Sequence, residues 1–323
     1  MYMINIFLYL HKLFYGANEL NHYKRSCKVK WLVCLISFIT VKVTFFYYMK
    51  LRERFGLLPA LRGQKNDSII VSLTSFPARV NDVWMVVDSI CRQKMLPASI
   101  NLYLCEEEFP QKKVPSNLER YEKLGLKIIW VDKNLKPHLK YYYALRDNPQ
   151  KYVITIDDDI YYRDDLISRL WGMSQLNPGV ICATRATKIL NDKLELGIYN
   201  QWGRGQSEPI GTSFNYLALG TFGVIYPPGV FENSGLFNDE SIVRNCLKAD
   251  DLWLKCHEIL CEIPVATGSF YTQSIEIMGS QMVSLRSSNC CETEKGGNDV
   301  QWENLDYEYG TNKKLVDLVK KEM

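Results

Sequence analysis

The chain has 323 residues, 47% of them hydrophobic and 23% charged, with 19 Gly and 12 Pro. That is about two domains at ~150 residues each, and the composition excludes a disordered tail, a collagen-like fibre and a small disulfide scaffold. The net charge of +3 is an average: residues 1–65 hold eleven Lys/Arg against two acids, and the remainder is acidic, which disfavours a nucleic-acid-binding body. The ten cysteines form no C-x-x-C pair, Cys290-Cys291 reads as two reduced thiols, and four histidines are too few for a multi-histidine metal site. A reducing compartment is expected.

Residues 31–49 form an apolar stretch broken by Lys42, preceded by Lys24, Arg25, Lys28 and Lys30 and followed by Lys50, Arg52 and Arg54. Its Leu, Ile, Val and Phe residues favour insertion by very roughly 4–5 kcal/mol, and a central Lys costs ~2.5–3.5 kcal/mol. The segment is therefore a marginal span or an in-plane helix on anionic lipid, with Lys42 on its polar face. The bland alternative is a buried helix of the fold, against which its place outside the strand–helix pattern argues. The run Ile4–Leu10 could enter the same surface. Residues 1–65 are thus expected to be a membrane-associating helical segment, with the membrane contact in residues 1–60.

From residue 69 the pattern becomes regular. Strands are predicted at Ile69–Leu73, Ile100–Leu104, Leu126–Val131, Tyr152–Ile156 and Val180–Thr184. Between them fall a helix with Val83, Val86, Val87, Ile90 and Cys91 on one face, ended by Leu96-Pro97, and helical stretches at Leu118–Leu124 and around Leu139–Leu145. Asn81 and Asp82 offer caps to the first of these helices. Another helix carries Leu166, Ile167, Leu170 and Trp171 and ends at Asn177-Pro178-Gly179. Strands alternating with helices at 26–31-residue intervals imply βαβ crossovers and a mainly parallel sheet. Residues 195–240 are rich in Gly, Pro and aromatics, as in loops around a site. Asp250-Asp251 open a helix that ends at Pro264, and the stretch Ser287–Gly310 reads as a polar, mobile tail.

The most informative segment is Thr155-Ile156-Asp157-Asp158-Asp159-Ile160-Tyr161. An apolar strand runs into three carboxylates, and ligands bind beyond the carboxyl ends of strands in open parallel sheets. On an extended chain Asp157 and Asp159 would point the same way. As hard oxygen ligands they suit Mg²⁺ or Mn²⁺, leaving the rest of the shell to water and phosphate, and such an ion would neutralise a diphosphate. A solvated acidic turn capping the next helix is the bland alternative, but three consecutive acids repel one another without a cation.

With these segments in view, the sequence resembles a bacterial nucleotide-sugar-dependent glycosyltransferase of the GT-A fold, family 2-like, of the capsule and lipopolysaccharide synthesis type. The likeness spans residues 67–310 and rests on IIVSLTSFPARV, YVITIDDDIYY, LGTFGVIYPPGVF and KADDLWLK, in that order. It implies an α/β fold with a GT-A-type mainly parallel, mixed sheet flanked by helices, behind the N-terminal helical extension. The nucleotide-binding half would run over residues 66–160 and the acceptor half over 161–310, within a domain of residues 66–323.

Carried over residue by residue, the resemblance implies that Asp157 and Asp159 bind Mn²⁺ or Mg²⁺. Thr74, Ser75, Arg79, Asp157 and Asp158 would line the nucleotide site, and Lys140 would reach the nucleotide or diphosphate unless it is an ordinary exposed helix lysine. For inverting transfer, a carboxylate must deprotonate the acceptor hydroxyl. Asp251 is the expected base, and Asp250 is the next candidate and the better cap by position. Alternatively, both acids merely favour the helix dipole. Some GT-A enzymes supply a further histidine ligand in the C-terminal part, but no histidine follows His257 here. The expected partners are a nucleoside-diphosphate sugar, a glycan or lipid-linked oligosaccharide acceptor and the cytoplasmic face of a membrane. A phosphoryl-transfer enzyme of the haloacid dehalogenase type, or a non-catalytic module that binds a glycan or nucleotide at the membrane, are the competing readings.

Overall fold

The structure, a computed structural model, describes residues 2–19, 28–203, 209–232, 234–268, 274–278 and 297–323. Cys290-Cys291, His22, Lys24 and Arg25 lie outside the described residues.

Two helices come first, α1 (Tyr2–Glu19) and α2 (Lys28–Arg54). The body then alternates: β1 (Gln64–Thr74), α3 (Val83–Cys91), β2 (Met95–Cys105), β3 (Leu126–Val131), α4 (Leu139–Asp147), β4 (Tyr152–Thr155), β5 (Ile160–Tyr161), α5 (Leu166–Leu176) and β6 (Ile181–Ala183). Short strands follow at β7 (Ala186–Lys188), β8 (Gly211–Ser213), β9 (Tyr216–Ala218) and β10 (Val224–Tyr226). After them come α6 (Asp239–Asn245), α7 (Asp250–Leu260), β11 (Val265–Thr267), β12 (Ile275–Glu276), α8 (Gly297–Tyr309) and α9 (Thr311–Glu322).

The main sheet has the order β3-β2-β1-β4-β10-β6-β11-β8. Neighbours run parallel from β3 to β4 and between β6 and β11; β10 is antiparallel to β4 and β6, and β8 to β11. This is the mainly parallel, mixed α/β sheet flanked by helices that the sequence predicts. The apolar run of β1 explains its central place: Val71 pairs with Ile100 on one side and Ile154 on the other. Period-two alternation then divides the core. Ile69, Val71 and Leu73 face the layer of α3 and α5, whereas Val153 and Tyr103 face that of α4 and α7. All nine residues of α3 are buried, and each large aliphatic side chain there contributes about 1.5–3 kcal/mol through burial.

Several local expectations change. Leu96-Pro97 lies inside β2 rather than ending a helix, because α3 already stops at Cys91. Asp82 makes no side-chain cap to α3; its carboxylate instead lies 2.6 Å from the Lys50 ammonium of α2. Residues 297–309 of the supposed mobile tail form α8, with Trp302 and Leu305 buried in the α7 layer. The i, i+3 spacing of those two residues is a helical signal that the surrounding polar residues mask.

The N-terminal helices pack on the body. Val41, Phe45 and Met49 of α2, with Ile4 and Leu8 of α1, are buried. The Arg52 guanidinium reaches buried Asp88 of α3 at 3.4 Å, and Phe7 packs on Phe45 and Tyr48 at centroid distances of 5.7 and 5.5 Å. Lys42, the break in the apolar stretch, sits 2.6 Å from Glu276 of β12. Among the described residues, no helix is long and apolar enough to cross a membrane.

Candidate active site

The site lies beyond the carboxyl ends of the parallel neighbours β1 and β4, where the strand order turns from β3-β2-β1 to β4. Open α/β sheets leave a crevice at such a switch. β1 delivers Thr74 and Ser75, and Arg79 follows in the turn that leads into α3. The Thr74 hydroxyl donates to the Tyr103 carbonyl at 2.8 Å, pinning the end of β1 to β2.

The three acids do not stay on an extended chain. Asp158 and Asp159 form a turn before β5, so the alternation expected for Asp157 and Asp159 does not apply. Instead the triplet divides. Asp158 accepts from Ser75 Oγ at 2.6 Å and from Arg79 at 2.8 Å, and Asp159 lies 3.1 Å from the same guanidinium. Asp157 takes a different partner and accepts from Lys140 Nζ at 2.9 Å.

Lys140 is not an ordinary surface lysine. It is buried on the first turn of α4, whose backbone is tied to β1 where Ser72 Oγ donates to the Lys140 carbonyl at 2.5 Å. Its ammonium also lies 2.7 Å from Asp250 Oδ2 at the start of α7. One cation therefore joins the acid after β4 to the acid pair 93 residues later. Burial alone would favour the neutral amine, but Asp157, Asp250 and Asp251 outweigh it and hold the Lys140 pKa well above the ordinary value.

The Gly-rich segment closes the opposite wall. A Cβ on Gly220 would fall 2.8 Å from Asp251 Oδ1 and 3.0 Å from Lys140 Nζ, so no larger residue fits there without displacing one of them. Gly223 has φ +93°, a backbone region that glycine enters at little steric cost. Asp251 accepts a hydrogen bond from the Gly220 backbone N–H. The Asp157 N–H donates to Tyr162 Oη at 2.9 Å, and that hydroxyl donates to the Thr221 carbonyl at 2.8 Å. The Thr221 side chain also bonds the Asp157 carboxylate. Tyr162 and Thr221 were not singled out in the sequence, although each lies within a quoted segment.

Neither acid at the start of α7 caps it by the expected route: the N-cap position is Ala249, which places Asp250 and Asp251 in the first helical turn. The two carboxyls have different surroundings. Asp251 is held above the usual carboxylate range, first by burial and then by repulsion from Asp250. Asp159 is likewise raised, by burial and then by Asp157. Burial raises Asp158 as well, against the opposing pull of Arg79 and Ser75. Asp157 is lowered despite its burial because Lys140, Thr221 and Arg79 favour the anion. The Arg79 Nε is buried without a hydrogen-bond partner.

The structure thus gathers Ser75, Arg79, Lys140, Asp157, Asp158, Asp159, Asp250 and Asp251, with Thr74 at the edge. Asn298 and Asp299, within the stretch read as a polar tail, belong to α8, where Asp299 accepts from the Tyr199 N–H at 2.7 Å. Among the described residues, no three His, Cys, Asp or Glu side chains converge as a ready-made metal cage.

No family model and no curated protein matches the chain. Solved structures resemble it in outline. A 4-diphosphocytidyl-2C-methyl-D-erythritol synthase from Anaerococcus prevotii is 14% identical over 67% of this chain and 92% of its own, with a TM-score of 0.41. A CMP:2-keto-3-deoxy-manno-octonic acid synthetase complexed with CTP is 8% identical over 64% and 89%, with a TM-score of 0.38. Residues 1–349 of TarS from S. aureus, in complex with UDP, are 12% identical over 64% of this chain and 59% of that one, with a TM-score of 0.40. At these identities and scores the likeness extends to the outline of the α/β fold and no further.

Proposed function

We propose that the chain is a glycosyltransferase that moves a sugar, with inversion, from a nucleoside-diphosphate sugar to a hydroxyl of a glycan or lipid-linked acceptor in surface polysaccharide synthesis. The observation that carries this reading is the Lys140 bridge. It brings the acids beyond β4 and the acids opening α7, two motifs with separate expected roles, to one ammonium at 2.9 and 2.7 Å.

The donor set suits a hard divalent cation. It consists of carboxylates on one turn, with Asp159 raised in part by its neighbour Asp157, and repulsion of that kind is relieved by a cation. Asp157 and Asp159 would hold Mn²⁺ or Mg²⁺, which when bound supplies charge neutralisation for the diphosphate. The remaining work falls to this chain's own groups. Arg79, with its unpartnered Nε, can donate to phosphate oxygens, and Ser75 and Asp158 hold the guanidinium side of the turn in place. Lys140 keeps Asp157 ionised and fixes Asp250. Asp251 takes the proton from the acceptor hydroxyl as the oxygen attacks the anomeric carbon and the bond from that carbon to the diphosphate oxygen breaks, releasing the nucleoside diphosphate. Its carboxylate is steadied by the Gly220 N–H, and its raised proton affinity suits a base working near neutral pH.

Attachment to the cytoplasmic face of a membrane belongs to the same reading. Ile36, Ile39, Tyr47 and Leu51 are exposed on the outer side of α2, and Phe55, Leu57 and Leu61 follow beside exposed Arg54 and Arg62. Apolar side chains set among cations are the pattern of an in-plane contact with anionic lipid.

The test is a thermal-shift screen of nucleoside-diphosphate sugars with and without Mn²⁺. Ligand at ~100 times its Kd stabilises by about 2.7 kcal/mol, enough for a shift of several degrees. At least one donor should stabilise the protein in a metal-dependent way. Stabilisation by none would contradict the reading.

A further inference from the structure

We infer that α2 braces the acidic turn, with Lys42, Phe45 and Arg52 as positioning residues that act through Tyr161 and Glu276. The turn Asp157–Asp159 passes directly into β5, which pairs antiparallel with β12, Tyr161 opposite Ile275 and Ile160 opposite Glu276. The Ile277 N–H donates to the Asp159 carbonyl at 2.8 Å and continues that pairing up to the acid itself. This two-stranded ribbon is separate from the main sheet. A two-stranded ribbon is marginal alone and needs a packing partner to be held still.

The N-terminal helix α2 supplies that partner on one face. Phe45 packs edge-on against Tyr161 at a centroid distance of 5.0 Å. Lys42, three residues earlier, lies 2.6 Å from Glu276. Arg52, two turns later, lies 3.4 Å from Asp88, and Tyr161 donates its hydroxyl to the same carboxylate at 3.0 Å. Positions i, i+3 and i+10 share one side of a helix. Both strands of the ribbon are therefore gripped by one surface of α2, and Tyr161 is two residues from Asp159. Ile4 and Leu8 of α1 belong to the same buried cluster as Tyr161 and Tyr162. A segment whose composition marks it for another task thus holds the backbone of the proposed metal site.

The ligand-binding half of this inference rests on the proposed function; the structural half does not. The experiment reads both, using the full chain and Mn²⁺ alone as probe. Phe45→Ala should raise amide exchange at Ile277 and Asp157 by about tenfold or more, with a fall of similar size in Mn²⁺ affinity. Lys42→Gln alters a partly exposed pair and leaves the core intact, so it reports even if Phe45→Ala does not fold; it should move both readouts about two- to fivefold in the same direction. Leu126→Ala, a cavity in β3 at the far edge of the sheet, is the control for general loosening. The brace is overturned if neither α2 variant changes exchange at those two amides, or if Leu126→Ala changes it as much. If exchange responds as expected while the unaltered protein binds no Mn²⁺, the brace stands and the metal reading falls.

Discussion

Asp88 and the Asp157–Asp159 turn are both acids in protein interior, and the chain treats them oppositely. Asp88 is fully buried in α3 and is surrounded by complements: Arg52, Arg92 and the hydroxyls of Tyr121 and Tyr161. At the turn, three acids and the pair opening α7 crowd together and share Arg79 and Lys140. A buried charge is tolerated when its surroundings satisfy it. Asp88 meets that condition and reads as architecture. The turn keeps carboxyls whose proton affinities are pushed apart, Asp157 down and Asp159 and Asp251 up. Divergence of that kind within one cluster is what the proposed site requires, at some cost in stability.

The largest expected effect breaks the comparison on the functional side. Asp251→Asn should lower transfer to a cognate acceptor by ~10²–10⁴-fold, the usual worth of a positioned base. Product formation under saturating donor measures it, and a rate equal to that of the unaltered enzyme would move the base elsewhere, to Asp250 first.

On the architectural side, Asp88→Ala should lower the unfolding free energy by about 3–5 kcal/mol, because it leaves buried Arg52 and half-buried Arg92 without their carboxylate. Urea unfolding checks this, and a loss below ~1 kcal/mol would mean that Asp88 does not organise the contact between α2 and the body.

A third buried group sharpens the contrast through pH. The His138 ring is fully buried; Nε2 donates to the Cys246 carbonyl at 2.7 Å, which leaves Nδ1 to accept from the Tyr141 hydroxyl at 2.8 Å. Burial, opposed by Asp250 and aided by Lys140, lowers its pKa to about 4. Below the ordinary value of ~6.5 the unfolded chain binds the proton and the folded chain does not, so stability drains as pH falls from ~6.5 towards 4. Asp158, Asp159 and Asp251, raised in the folded state, contribute the opposite sign. Relative to His138→Gln, the unaltered chain should lose on the order of 3 kcal/mol over that interval. Parallel denaturation curves at pH 7 and pH 4.5 read the difference, and equal slopes for the two proteins would assign the histidine no such role.

Much of this was legible in the residues. Short apolar runs separated by helical spacing specify alternating strands and helices and so a mainly parallel sheet, and an apolar strand ending in three acids marks the candidate site. What the residues do not display is partnership over distance. Lys42 looks like a flaw in an apolar helix until Glu276, 234 residues away, is brought beside it. Lys140 is indistinguishable from a surface lysine because its two acids arrive from β4 and α7. The turn geometry of Asp158 and Asp159 is set by Arg79 and Ser75, and strand alternation cannot foresee it. Asp88 did leave a trace, as a lone acid in the run Val83–Cys91 in which all other residues but Ser89 are apolar. An acid so placed needs partners, and the pattern could have raised that question.

The central claim is that two acidic motifs share one site and divide its work, Asp157 binding and Asp251 reacting. Calorimetric titration of nucleoside diphosphate with Mn²⁺ into the unaltered chain, Asp157→Asn and Asp251→Asn tests it most directly. Loss of an anionic ligand in Asp157→Asn should weaken metal-dependent binding at least ~10-fold, while Asp251→Asn should bind within about twofold of the unaltered chain. Normal metal and nucleotide binding by Asp157→Asn would contradict the account.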